Sequence, residues 1–298
     1  MENNCPVCNK INFKFMGVPK VNSLSSGFIK TTYQVVQCKN CGLYYVAPAI
    51  SFTPEQWQAL YNSEYFASQT EWLYNQRKKE LLGRFTKAEQ LLNKKENINF
   101  LDVGCGEGNA LAEAAKRNWN ATGIDITDNR NENAKTENIN FKTGSLLEQN
   151  FPADTFDFVY MDSVLEHTLQ PLEYLTEIKR ILKKNGIVYV GIPNEDCLFN
   201  TIRKIVFTLT GKGNISVKIK PFDTPYHVVG FNKSSLQFIV NKAGLTLAEL
   251  ENVGRKMDFL SFKITSKGFW ISFIFLFPIE IFGMLLKKDV YYSAYLTK

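Results

Sequence analysis

Apolar and polar positions change period along the chain, and the changes mark its elements. Short runs of β-branched and aromatic residues recur at 98–103 (I-N-F-L-D-V), 121–126 (A-T-G-I-D-I), 139–143 (I-N-F-K-T), 156–161 (F-D-F-V-Y-M) and 186–192 (G-I-V-Y-V-G-I). Each is bounded by turn residues and reads as a strand. Between them, 109–116 (N-A-L-A-E-A-A-K) and 172–182 carry helix formers with apolar residues at helical spacing. Runs at 245–253 and 290–297 add a sixth and a seventh strand after a helix at 233–243, which Gly244 stops. Regular alternation of strand and helix predicts a mostly parallel α/β sheet with helices on both faces. After the fifth strand the pattern loosens into an insertion at 196–225, with an apolar helix-like part and a basic loop carrying Lys212, Lys218 and Lys220.

Upstream the texture differs. A helix opened by Pro54 and a longer one at 75–94, with Leu81, Leu82, Phe85, Ala88 and Leu92 on one side, flank an aromatic-rich stretch containing Tyr65 and Phe66. Before them, Cys5 and Cys8 form one C-x-x-C and Cys38 and Cys41 another. Two matched pairs supply the four thiolates of a tetrahedral zinc site, which neither a redox dithiol nor a disulfide explains. Gly42 suits the knuckle after Cys41, and the β-branched, aromatic run 27–37 suits ribbon strands. The chain therefore divides into a zinc-ribbon module at 1–48, a helical lid or linker at 49–95, and a larger domain at 96–298 with an apolar insertion at 266–288. With four protein ligands the zinc site is closed, so its expected role is structural.

The chemistry centres on F-L-D-V-G-C-G-E-G-N, residues 100–109. A strand runs into alternate glycines and a helix N-terminus, the unit that lets backbone N–H groups approach a polar ligand. Asp102 stands at the strand end, and Asp125 closes the next strand about 20 residues on, the spacing of a carboxylate that grips ribose hydroxyls. A dinucleotide site would want G-x-G-x-x-G, yet Asn109 stands where its last glycine belongs, and Asp102 and Glu107 would repel a pyrophosphate. A ligand carrying an ammonium and a sulfonium fits those acids better. On these residues the chain resembles the class I S-adenosylmethionine-dependent methyltransferases over roughly 95–253. The run after the fourth strand, V-L-E-H-T-L-Q-P-L-E-Y-L-T-E-I-K-R-I-L-K-K-N-G, is similar to their ubiquinone and menaquinone methyltransferase-like branch.

The resemblance implies a Rossmann-like seven-stranded sheet whose last two strands form an antiparallel hairpin. It also implies a cofactor shell of Asp102, Gly104, Cys105, Gly106, Gly108, Asp125, Ile126 and Asp162, with Tyr65 and Phe66 as lid residues or as packing under a loop. Relatives place an aspartate after the third strand to hold the adenine; here Ser145 stands there, leaving a backbone contact at Leu146. Methyl transfer to a hydroxyl or carbon acid needs a base as well as alignment. His227 is the first choice, with His167 beside the cofactor and Tyr226 as the other options.

Hydrophobic residues at 45% and charged residues at 21% predict a packed core, and a net charge of +6 without a long basic run gives no sign of nucleic acid. The opening M-E-N-N-C-P-V-C does not read as a signal segment, so the expectation is a cytoplasmic protein. The apolar stretch 268–286 is long enough to span a bilayer. A single crossing would put the sixth and seventh strands on opposite sides. That favours a re-entrant segment, a peripheral helix in the interface at the inner membrane face, or a helix buried in the fold or a dimer, with a true span remaining if 290–297 is not the final strand. The apolar tail points to a small or lipid-linked acceptor, and the resemblance to ribbon-bearing methyltransferases implies a glycan or sugar hydroxyl. A quinone-type methyltransferase and a non-catalytic module that only binds S-adenosylmethionine remain the alternatives.

Overall fold

The computed structural model describes residues 3–60, 71–254 and 262–298. Its main sheet is built from β4 (Asn99–Val103), β5 (Asn120–Asp125), β6 (Ile139–Thr143), β7 (Phe156–Asp162), β8 (Leu182–Pro193), β10 (Thr246–Val253) and β11 (Tyr291–Thr297). Seven strands run in the order β10-β11-β8-β7-β4-β5-β6. Neighbours from β8 to β6 are parallel, and β11 runs antiparallel to both β8 and β10. This is the Rossmann-like sheet with a terminal hairpin. The chain order reverses at β4, which has β5 on one side and β7 on the other, so the crevice for a ligand opens at the carboxyl ends of these strands.

Burial on both faces explains why these strands read as apolar runs. Phe100, Phe158, Tyr160, Tyr189 and Tyr295 point to one side, where α3 (Glu71–Leu92) and α4 (Asn109–Lys116) supply Phe85, Ala88, Leu111 and Ala114. Leu101, Val159, Met161, Val188 and Val190 point to the other, where α5 (Pro171–Ile181) and α7 (Lys233–Lys242) supply Leu175, Ile178, Leu236 and Ile239. Alternate residues of one strand thus feed two cores.

The second core does not stop at the sheet. Cys5, Val7, Val36, Leu43 and Tyr45 belong to the same buried cluster, and Lys242 Nζ donates to the Val7 carbonyl at 2.7 Å. The N-terminal strands β1 (Phe13–Gly17), β2 (Gln34–Cys38) and β3 (Tyr44–Ala47) form a small antiparallel sheet. Its fourth strand, β9 (Val229–Gly230), comes from the far end of the chain, with Tyr45 opposite Val229. The strand expected over 27–37 is confined to Gln34–Cys38, and β1 forms where no strand was expected. Between them lies α1 (Ser23–Ser26), which the Asn22 side chain caps by accepting the Ser25 N–H at 2.7 Å. The Phe28 and Ile29 N–H groups turn back to the Ser25 carbonyl at 2.9 and 3.3 Å, which takes up backbone groups that a longer strand would have paired.

The apolar tail is a single helical run, α8, over Lys267–Leu285. It passes through a wider π turn at Ser272–Leu276, just before Pro278. Such a turn absorbs the lost N–H and the ring of a proline without a break. The run does not turn back on itself as a re-entrant segment would. Its C-terminal half lies against α6 (Leu198–Leu209), the helix of the insertion. The remaining helix, α2 (Pro54–Leu60), leads into 61–70, outside the described residues, where Tyr65 and Phe66 fall.

Candidate functional site

At the end of β4 the backbone turns through Gly104, Gly106 and Gly108 with φ of +68°, +50° and +76°. The three are not alike. A Cβ on Gly108 would sit 2.4 Å from the Ala134 Cβ, and one on Gly104 2.6 Å from Val164 Cγ2, whereas one on Gly106 meets nothing within 4 Å. The outer glycines pack the turn onto the protein. The middle one leaves an open face, where a ligand can approach the backbone. Asp125 Oδ2 accepts the Gly106 N–H at 2.8 Å, which ties the turn to the end of β5.

The acids make this edge a cation-seeking site. Asp102 is 3% exposed, and burial, with the negative charges of Asp125 and Asp162, pushes its carboxyl well above the usual carboxylate range. Burial likewise raises Asp125, against the hydrogen bonds it accepts from the Gly106, Thr127 and Ile126 N–H groups. A ligand bearing an ammonium and a sulfonium offsets these charges, so the residues present fit S-adenosylmethionine. Ile126, 51% exposed beside Asp125, offers an apolar face at the rim. Cys105 is buried in the turn, and burial raises its thiol, so it packs as a neutral group. Ser145 and buried Leu146 begin a short turn after β6, where Glu148 accepts the Ser145 N–H at 2.7 Å.

Asp162, at the end of β7, is engaged by groups that the sequence did not connect to it. Arg84 of α3 donates to it at 2.6 Å, Tyr160 at 3.1 Å and Tyr291 at 2.8 Å. Arg84 also lies over the Tyr189 ring, 4.8 Å from its centroid. Arg84 and Tyr291 come from opposite ends of the chain, so only the sheet order brings them to one carboxylate. Their signal in the sequence was slight, an arginine on an otherwise apolar helix side and a tyrosine opening the last strand.

Past Asp162 a short turn, Leu165–His167, carries Glu166 and His167. The second histidine arrives from the other side on the segment before β9, held there because the Val228 N–H donates to the Glu166 carbonyl at 2.9 Å. The His167 and His227 rings meet edge to face, 4.9 Å between centroids. His227 Nε2 stands 3.9 Å from Glu166 Oε1. Glu166 is 1% exposed, and among the described residues no other residue gives its carboxyl oxygens a hydrogen bond, which a buried carboxyl rarely tolerates. Burial pushes the Glu166 carboxyl up and His167 down to about 4; His227 is also held well below the usual imidazole range, through burial and the nearby His167 and Lys220. Both imidazoles are therefore neutral near pH 7 and able to accept a proton. The donor atoms of Glu166, His167 and His227 lie within 4.8 Å of one another, so the trio could also hold a divalent cation. Tyr226 is buried at φ +62°, and its hydroxyl accepts from Asn22 Nδ2 at 3.0 Å.

The cysteines converge as their spacing predicts. All four Sγ atoms lie within 4.8 Å of one another, with Cys5 to Cys41 at 3.5 Å and Cys8 to Cys38 at 3.4 Å. Zn–S bonds of about 2.3 Å in a tetrahedron need sulfur spacings close to these. Gly42 takes the left-handed position of the second knuckle at φ +79°, and Asn9 takes that of the first at +58°.

Comparison with known proteins agrees with this geometry. The chain matches the family model "Methyltransferase domain" over residues 68–250. It is 27% identical over 177 residues to a ubiquinone biosynthesis O-methyltransferase of Pelagibacter ubique, covering 57% of this chain and 71% of that protein. It is 36% identical over 110 residues to a demethylmenaquinone methyltransferase of Bacillus licheniformis, covering 34% of this chain and 47% of the relative. Among solved structures, a SAM-dependent methyltransferase from Archaeoglobus fulgidus superposes with a TM-score of 0.50 at 16% identity, covering 80% of this chain and 98% of that one. The Burkholderia thailandensis 1,6-didemethyltoxoflavin-N1-methyltransferase, solved with S-adenosylhomocysteine, superposes with a TM-score of 0.51 at 14% identity, covering 91% and 97%. The fold, the glycine turn with its acids and the family match together make this chain a member of the methyltransferase-domain family and a class I S-adenosylmethionine-dependent methyltransferase.

Proposed function

We propose that the chain methylates a hydroxyl of a small or lipid-linked acceptor, a glycan or sugar intermediate, at the cytoplasmic face of a membrane. S-adenosylmethionine supplies an electrophilic methyl group on its sulfonium sulfur. In this reading Asp102, Asp125 and the glycine turn with Cys105, Ile126, Ser145 and Leu146 hold the donor, with Asp162 fixing the neighbouring rim. His227 removes the acceptor hydroxyl proton at Nε2. Glu166 stabilises the imidazolium that forms, and His167 keeps the ring in place. The observation that carries the reading is the buried Glu166 carboxyl, without a hydrogen-bonding neighbour among the described residues, beside two histidines at the carboxyl end of β7. A group left so costly to bury is best accounted for by a charge that arrives during the reaction.

Zinc held by Cys5, Cys8, Cys38 and Cys41 is part of the proposal. Its role is to brace the small sheet whose fourth strand follows His227 by two residues. A quinone-type C- or O-methyltransferase is the second reading, favoured by the likeness to the ubiquinone biosynthesis O-methyltransferase of Pelagibacter ubique. The purified chain with methyl-labelled S-adenosylmethionine and an extract split into lipid and aqueous pools tests both. Label in a glycolipid supports the first reading and label in a quinone the second. Label confined to soluble products removes the membrane acceptor, and bound donor without any label leaves a non-catalytic binding module.

A further inference from the structure

Two apolar helices leave the main sheet at the edge that carries the acids. The first, α6, begins just past the carboxyl end of β8. The second, α8, returns into β11 at Tyr291, which lies opposite Pro193 of β8 and Val253 of β10 and donates to Asp162. The Leu198 N–H donates to the Lys288 carbonyl at 2.9 Å, and Asn194 Nδ2 to the Asp289 carbonyl at 2.8 Å, so the start of α6 and the end of α8 are bolted to one another.

What the pair shows to solvent is apolar. Leu209 is 81% exposed on α6, and Phe275 and Leu285 are 64% and 68% exposed on α8. Only 11% of the α8 stretch is buried. A water-soluble helix buries such residues, and an unmatched patch of this kind marks an interaction surface. The charges around it are basic but for Glu280. Exposed Lys263 and Lys267 stand at one end of α8 and exposed Lys287 and Lys288 at the other, with Arg203, Lys204 and Lys212 in and after α6. Within 262–288 the one acid is Glu280.

We infer that α6 and α8 together form a docking face for an anionic lipid bilayer, which seats the cofactor edge of the sheet against the headgroups. The helix lies in the interface, since Val253 and Tyr291 pair in one sheet and keep both flanks of α8 on the same side. At 1.5 Å per residue its 19 residues extend about 28 Å along the surface. Basic ends complement anionic headgroups, and Trp270 near one end suits the interfacial zone. A second copy fits less well. Whether two α8 helices paired parallel or antiparallel, lysines would meet lysines at both ends. The inference deepens the membrane-face part of the proposed function and rests on it. Its test contains no acceptor, so its failure is distinct from failure of methyl transfer.

The full chain is floated with phosphatidylcholine vesicles, with and without phosphatidylglycerol. The expected result is flotation that rises with the anionic lipid and is lost in the double variant Phe275→Asp, Leu285→Asp. Both positions are exposed, and unchanged S-adenosylhomocysteine binding by calorimetry confirms that the variant is folded. Lys287→Gln with Lys288→Gln should weaken binding roughly 25-fold, since each surface lysine contributes about a fivefold factor. Wild-type chain left with the soluble fraction, or equal flotation of the double variant, overturns the inference. So does a dimer by light scattering that the double variant abolishes while no vesicle binding is seen.

Discussion

Asp125 offers the sharpest separation of binding from folding. One of its oxygens accepts the Gly106 N–H at 2.8 Å, and in the proposed function the carboxylate is also assigned to the ribose hydroxyls of the donor. Replacement with Ala removes a charged acceptor from both. Hydrogen bonds to charged groups contribute about 1.5–3 kcal/mol each, and leaving the Gly106 N–H without its partner adds to the loss. A net cost of about 2–3 kcal/mol corresponds to roughly a 30- to 150-fold rise in Kd. Burial raises this carboxyl, so its charge adds little to the fold, and the orphaned Gly106 N–H should lower the melting temperature only modestly while donor affinity falls much further. Asp125→Asn keeps an oxygen for the Gly106 N–H and loses only the charge, and it should fall between the two. Calorimetric titration with S-adenosylhomocysteine reads the affinities, with Asp128→Asn, on an exposed loop pair with Arg130, as the control. An Asp125→Ala affinity within threefold of wild type would refute the ribose assignment.

The other expectations concern the base, the ribbon and a buried acid. His227→Asn should lower kcat by about 10²- to 10⁴-fold with the S-adenosylhomocysteine affinity unchanged; full turnover in this variant removes His227 as the base. Chelating zinc, or Cys38→Ser, should lower the stability of the whole chain in one transition, because Cys38 and Leu101 share a core. Two separate transitions, with donor binding surviving the first, would instead mark 1–48 as an independent module. Glu195 is 5% exposed, and burial raises its carboxyl to about 7. The unfolded chain gives up this proton near pH 4.5 and the native one keeps it to about 7. The native state therefore loses stability as pH rises across that window, by roughly 3 kcal/mol at about 1.4 kcal/mol per pH unit. Glu195→Gln should flatten the pH dependence of Tm between 5 and 7, and an unchanged slope rejects the assignment.

Much of the site could be read along the chain because its parts are local. Strand, glycine turn, helix start and the acid about 20 residues on all belong to one βαβ unit, whose spacing is set by backbone geometry. The two knuckles are local in the same sense, and the structure brings their four sulfurs together. Elements whose period matches their burial, such as Asn109–Lys116 and Phe156–Asp162, were expected within a residue of where they lie. The ribbon strands were not, because short strands depend on their partners, and the Phe28 and Ile29 N–H groups turn back onto the Ser25 carbonyl instead.

Arg84 and Tyr291 show the other limit. They lie 207 positions apart in the sequence and share Asp162 only because β11 inserts beside β8 while α3 packs across the same face. Likewise, no local pattern pairs Val229 with Tyr45, sets His227 against Glu166, or lays α6 along α8. By itself the sequence determined the class of fold, the cofactor turn and the thiol cluster, since each follows from short-range geometry and residue chemistry. Only the tertiary structure decided which carboxylates are paired, which one is buried without a partner, and where the apolar helices face. Those outcomes depend on sheet order and burial, which sum contacts over the whole chain and leave no trace in any one window of it.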